Sequence, residues 1–176
     1  MSVKDITVII TSFRSGDKIK SCLSSINSEI KVLLVENSND LNFKKSIEQK
    51  FSNVECILTD NNFGYGKSNN IGLRKTTTKY ALILNPDAIL DQSAIKNFLK
   101  TTKEIDQFAI MGPYIQEKKI STGDSNNFIP TQVSNVKGFA MFLNLSEFKD
   151  IGFFDENFFF YFEEIDLCKR LINNGK

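Results

Sequence analysis

Histidine is absent from all 176 residues of the chain. No serine or cysteine nucleophile can therefore be activated by imidazole, which excludes the ordinary hydrolase triads. Zinc loses its usual nitrogen ligand for the same reason, and the three cysteines, Cys22, Cys56 and Cys168, are scattered, with none of the paired spacing of a thiolate site. Their apolar sequence surroundings point to buried, reduced thiols and so to a reducing, cytoplasmic setting. Charge of one sign is lacking too. Twenty-two lysines and arginines against 21 aspartates and glutamates leave a net +1, too weak a field to draw the chain onto nucleic acid. No window approaches the roughly 20 apolar residues of a membrane span, and residues 1–5 carry no basic-then-apolar leader. Any acid, base or metal chemistry falls to carboxylates.

What is present suits a core and a polar surface: 41% of residues are apolar and 24% charged, close to the globular average. The length fits a single domain, 1–176, because chains usually divide only well beyond this size. Short apolar runs alternate with segments of helical spacing. Residues 6–10, 31–35, 54–58 and 80–84 read as strands. Ile19, Cys22, Leu23 and Ile26, then Phe43, Ile47 and Phe51, then residues 69–75 and 95–99, read as helices. Strands that are apolar throughout belong to a parallel sheet covered by helices on both faces, so the fold class is α/β with a Rossmann-like, mostly parallel sheet. After residues 108–111, the polar, turn-rich stretch 116–132 predicts a long loop. A strand at 136–144, a short helix at 145–150 and a final helix at 163–174 stopped by Gly175 complete the pattern.

Ligands of such sheets gather at the carboxyl ends of the strands. There the chain carries Thr11-Ser12-Phe13, Glu36-Asn37-Ser38, Asn61-Asn62-Phe63-Gly64 and Asn85-Pro86-Asp87. Gly64-Tyr65-Gly66-Lys67-Ser68 suggests a nucleotide loop, but a Walker sequence needs glycine where Asn61 stands. A dinucleotide fingerprint needs it at Asn69, and after the first strand rather than the third. Gly64 and Gly66 read as turn residues entering a helix. Asn62, Asn69 and Asn70 add amide donors and acceptors beside that helix's amino terminus, a setting suited to a sugar or a diphosphate. Asp87, its approach fixed by Pro86, either caps the next helix, a task for which Asp91 is better placed, or holds a hard divalent ion with phosphate and water completing the shell. Glu163, Glu164 and Asp166 fall in the first turn of the final helix, where the macrodipole favours acids on structural grounds alone. The almost wholly aromatic approach, residues 152–162, reads first as core cover, and otherwise as a surface for sugar rings or a membrane. Carboxylates beside it would be partly desolvated, which suits a general base.

Together these segments resemble a family 2 glycosyltransferase of the GT-A fold, in the rhamnosyltransferase-like branch that builds bacterial cell-surface polysaccharides. The resemblance runs from Thr7 to the end. It rests on Gly152-Phe153-Phe154-Asp155-Glu156 and Phe160-Tyr161-Phe162-Glu163-Glu164-Ile165-Asp166-Leu167 with Arg170, and on Asn62-x-Gly64 with Asn70 and Asn85-Pro86-Asp87 in the expected order. It implies that Thr11, Ser12, Phe13 and Glu36 hold the base and ribose of a nucleotide, and that Asn62, Gly64, Asn70 and Asn85 line the donor pocket. Asp87 would face Mg²⁺ or Mn²⁺ on the diphosphate. Glu36 stands where many relatives have aspartate, and Asn85 where they have the first aspartate of an Asp-x-Asp motif. Glu164 matches the catalytic base, with Glu163 and Asp166 as its rivals.

The implied reaction is inverting transfer from a nucleotide-diphosphate sugar, of the dTDP-rhamnose or UDP-hexose type, to a hydroxyl of a glycan or polyprenol-linked acceptor. A polyprenol-linked acceptor would bring the protein to the inner face of the membrane as a peripheral visitor, and a homo-oligomer is compatible with the sequence. Relatives continue past the final helix with a metal-facing histidine and much of the acceptor surface, so the resemblance also implies a shortened catalytic domain. A donor-binding module without catalysis is the second reading. A sugar nucleotidyltransferase is a distant third, because that class places a glycine-rich basic loop after its first strand whereas residues 11–16 hold one glycine, Gly16.

Overall fold

The structure, a computed structural model, describes residues 2–105, 107–114 and 129–176. The four expected strands are β1 (Ile6–Ser12), β2 (Lys31–Glu36), β3 (Val54–Leu58) and β4 (Tyr80–Leu84), all rich in the β-branched and apolar side chains that fit a pleated, buried surface. With β5 (Ile110–Met111) and β6 (Ala140–Asn144) they form one sheet in the order β3-β2-β1-β4-β6-β5. The first four are parallel. β6 is antiparallel to both β4 and β5, so the sheet is mostly parallel, as expected from the apolar runs. An antiparallel neighbour needs no helical crossover, and β6 starts at the rim, Ala140 lying opposite Leu84. Its expected first residues, 136–139, lie beyond the end of β4. One bond continues there, Asn85 N–H donating to the Phe139 carbonyl at 2.9 Å. Of the expected loop 116–132, residues 116–128 fall outside the described residues.

Side chains alternate along each strand, so each feeds two cores. Val8, Ile10, Val32, Leu34 and Leu82 meet α1 (Lys18–Ser24), α2 (Leu41–Lys50) and α4 (Ala94–Glu104) on one face. Ile9, Leu33, Ala81, Ile83 and Met141 meet α3 (Gly64–Lys75) and α5 (Glu163–Asn173) on the other. Each fully buried aliphatic side chain contributes about 1.5–3 kcal/mol. Phe142 anchors the first core, stacked on Tyr80 at 5.1 Å and on Phe98 at 4.9 Å. The cysteines are buried and free. Burial pushes the Cys22 and Cys56 thiols up to about 12, so they stay neutral and unreactive. Among the described residues no helix is long and apolar enough to cross a membrane.

Two features position the site. β1 connects outward to β2 while β4, on its other side, neighbours β6, so the strand order reverses between β1 and β4 and opens a crevice at their carboxyl ends. Helix α3 then lies unusually close to β1. Three glycines give it poor intrinsic propensity, about 1 kcal/mol each against alanine, but contact reverses that preference: a Cβ on Gly72 would stand 2.6 Å from Ile9 Cγ2. At the free edge of the sheet, β3 turns the backbone of Cys56 outward. Glu48 Oε1 accepts its N–H at 2.8 Å and Lys44 Nζ donates to its carbonyl, while Lys44 and Glu48 pair with each other at 2.7 Å.

Candidate active site

The carboxyl end of β1 presents Thr11, whose hydroxyl donates to Asn69 Oδ1 at 3.1 Å. Ser12 is buried with its hydroxyl on Ser15 at 2.9 Å. Phe13 is exposed, with the Arg14 guanidinium 5.2 Å from its ring centre. The end of β2 presents Glu36, 1% exposed. Its Oε1 accepts from the Ser38 N–H at 2.9 Å and the Ser38 hydroxyl at 2.5 Å, while Oε2 is buried with no partner among the described residues. A buried polar atom left unpaired costs about 1–3 kcal/mol, so this orientation of Glu36 suits a ligand that brings a donor. After β4, the Asn85 carbonyl accepts the Cys22 thiol at 3.6 Å. Asp87 is exposed and makes no hydrogen bond or ion pair among the described residues. It is close enough for its charge to help raise the Cys22 thiol, behind burial. It is not a helix cap, and neither is Asp91, which accepts from the Ser93 N–H and hydroxyl instead.

Helix α3 carries the asparagines, and they divide. Asn62 Oδ1 accepts the Gly64 N–H at 3.0 Å. Gly64, at φ +75, admits the Phe159 carbonyl, which accepts the Tyr65 N–H at 3.0 Å; a Cβ there would stand 1.9 Å from that oxygen. The helix start is thus capped by the chain itself. Asn70 is also committed: its amide grips both backbone groups of Phe154, at 2.8 and 3.0 Å, and reaches Glu156 Oε1 at 3.1 Å. Arg74 holds the same Glu156 oxygen at 2.5 Å. The Glu156 carboxyl is held below its ordinary range, first by the Asn70 hydrogen bond and then by Arg74. Asn69, by contrast, is fully buried, its Oδ1 taken by Thr11 and its Nδ2 within no hydrogen-bond geometry among the described residues.

The start of α5 brings in the carboxylates. Glu163 is 5% exposed, its Oε2 has no partner among the described residues, and burial pushes its carboxyl above the ordinary range, with Glu164 adding to the rise. Glu164 is half-buried. Asp166 is paired with Arg170 at 2.8 Å, and Arg170 also donates to the Ile151 and Phe153 carbonyls, so this acid serves the fold. Tyr65 links the two sides of the rim. Its hydroxyl donates to the Gly138 carbonyl ahead of β6, and its phenol is pushed up, chiefly by burial and then by the charges of Glu163 and Glu164.

The aromatic approach divides as well. Phe154 is buried, but Phe159, Phe160, Tyr161 and Phe162 are 59%, 53%, 68% and 65% exposed. The expectation that this run covers the core is therefore corrected for its second half. Tyr161 and Phe162 sit at φ +69 and +70, a left-handed conformation that costs about 1–3 kcal/mol for a non-glycine residue. It turns the chain outward just before α5.

The sequence pattern of glycosyl transferase family 2 matches residues 7–168. The chain belongs to glycosyltransferase family 2. It is 26% identical to the low-salt glycan biosynthesis hexosyltransferase Agl10 of Haloferax volcanii, over 94% of this chain and 61% of that one. It is 24% identical to the rhamnosyltransferase WbbL of Escherichia coli K12, over 93% of this chain and 75% of that one. The fold is of the GT-A type: a mannosyltransferase, PcManGT of Pyrobaculum calidifontis, solved with GDP-Man and Mn²⁺, superposes with a TM-score of 0.73 at 11% identity, over 95% of this chain and 51% of that one. The chain thus spans about three fifths of the Agl10 relative and half of the solved structure.

In this family 2 chain, the metal expectation meets one observation. Among the described residues no three of cysteine, aspartate or glutamate gather into a metal-holding group. Asp87 therefore fits a divalent ion only as a single oxygen ligand, with diphosphate oxygens and water filling the shell. Sequence reasoning missed two residues. Asn37 is buried and ties the end of β2 to α3, accepting from the hydroxyls of Thr59 and Ser68 at 2.9 and 2.8 Å. Its signal was a polar residue directly after an apolar strand. Tyr65 had no signal, because its role depends on Gly138, 73 residues away.

Proposed function

We propose that the chain transfers a sugar, with inversion, from a nucleotide-diphosphate sugar to an acceptor hydroxyl of a glycan or polyprenol-linked saccharide. The observation that supports the reading is the set of carboxylates at these element ends: Glu36 after β2, buried with an oxygen unpartnered among the described residues, exposed Asp87 after β4, and Glu163 and Glu164 at the start of α5. Glu36 Oε2, as a carboxylate oxygen, favours a base edge that presents a ring N–H, as uracil, thymine and guanine do and cytosine and adenine do not. That agrees with a dTDP-rhamnose or UDP-hexose donor, and with the likeness to a rhamnosyltransferase. Glu164, half-exposed where Asp166 is engaged and Glu163 enclosed, takes the proton from the acceptor hydroxyl. The oxygen attacks the anomeric carbon from the side opposite the nucleotide, and the diphosphate leaves. Asp87 would hold Mg²⁺ or Mn²⁺ on the diphosphate, and the ion when bound supplies the charge that stabilises the leaving group.

Calorimetric titration with UDP-, dTDP- and GDP-sugars, with and without Mn²⁺, tests this. We expect one nucleotide class to bind in a metal-dependent way, at least tenfold more weakly in Asp87→Ala. Absence of binding across the panel would refute the reading, and binding without turnover under any acceptor would favour a donor-binding module instead.

A further inference from the structure

The exposed aromatic strap ahead of α5 has no part in the donor site as described. Four consecutive side chains, Phe159, Phe160, Tyr161 and Phe162, are each more than half exposed, a grouping that marks a binding surface when it lies beside a cleft. The strap is fixed at both ends. The Phe159 carbonyl is bonded to the Tyr65 N–H, and the left-handed residues Tyr161 and Phe162 run straight into Glu163 and Glu164. Phe160 and Tyr161 lie edge to face, ring centres 4.2 Å apart, so they form one block. A platform held this way loses little freedom when something settles on it.

Charge decides what settles. Residues 155–166 contain five acids and no lysine or arginine. Arg74 answers Glu156 and Arg170 answers Asp166, while Asp155, Glu163 and Glu164 have no ion pair among the described residues. An anionic lipid surface is repelled by such a flank, and seating the rings in hydrocarbon would carry carboxylates with them at high cost. A neutral saccharide ring suits both halves, its C–H face lying on the aromatic rings and its hydroxyls donating to carboxylates.

Resting on the glycosyl-transfer reading of the same site, we propose that the strap of residues 159–162 is the acceptor subsite, and that it binds a neutral saccharide ring beside Glu164. The test follows the aromatic-ring resonances of the chain by NMR during titration with methyl glycosides and disaccharides of glucose, galactose, N-acetylglucosamine and rhamnose. A parallel series uses phosphatidylglycerol–phosphatidylcholine vesicles, and donor affinity is measured alongside. The expected result is a saturating shift of the strap rings with at least one saccharide, weakened tenfold or more in Phe160→Ala and retained in Tyr161→Phe, with donor affinity within twofold of wild type in both. Strap rings unmoved by every saccharide, or moved by vesicles alone, would overturn the proposal. Donor binding with unmoved rings defeats the subsite and leaves the transferase reading standing. Shifted rings without any donor binding leave a saccharide site at the strap and defeat both the transferase reading and the acceptor role.

Discussion

Glu163 and Glu164 are neighbours in sequence with opposite surroundings, and that contrast is testable. Glu163 is enclosed, with an oxygen unpartnered among the described residues and a raised carboxyl. A raised carboxyl means that the native state holds the proton more tightly than the unfolded chain does. Stability from this group is therefore full below the ordinary glutamate range and falls as pH rises through the raised value. Glu163→Gln removes that loss: we expect the variant to match wild type in acid and to melt about 2–4 °C higher at neutral pH for each kcal/mol regained, measured by calorimetry across pH. Glu164→Gln should instead leave the melting temperature nearly unchanged and lower turnover about 10²- to 10⁴-fold, with donor affinity retained. Of the candidate residues, Glu36, Asp87 and the α5 acids were legible because strand ends and helix starts are read directly from the apolar pattern. The division of partners between Asn69 and Asn70 was not legible. One step along a helix turns a side chain by about 100°, so which amide meets Thr11 and which grips Phe154 depends on the seating of α3 against β1.

At the scale of elements, α3 and the aromatic strap stand or fall together. Gly64 is the joint, because its left-handed backbone and missing side chain let the Phe159 carbonyl cap the helix. Gly64→Ala adds conformational strain and a collision, and we expect a loss of more than about 2 kcal/mol, seen as a lower urea midpoint. The four parallel strands could be read as apolar runs bounded by polar residues. The start of α3 at Gly64, where a turn into the helix containing residues 69–75 was expected, could not, since glycine disfavours helix until close packing repays it. The outward half of the aromatic run was hidden for a related reason: composition favours burial of phenylalanine, and only the left-handed turn at Tyr161 and Phe162 sends the rings to solvent.

At the scale of the molecule, the sheet has a crevice in its interior and two edges at its ends. The antiparallel β6 brings Gly138 and Phe139 to the rim between Asn85 and Tyr65, an arrangement that the pattern of apolar runs does not encode because it specifies strands but not their direction. The guarded edge at β3 has a consequence of its own. An open strand is a template for another chain, and here Cys56 is masked by Glu48 on its N–H and Lys44 on its carbonyl. Lys44 and then the Cys56 N–H hold the Glu48 carboxyl below its ordinary range, so its hold is complete above the usual glutamate range and is released as pH falls through the lowered value. Acid should therefore limit colloidal stability before it limits folding. Light scattering at descending pH should show strand-templated association in wild type only at strong acidity and in Glu48→Gln already near neutrality, while far-ultraviolet circular dichroism of both remains native at the onset.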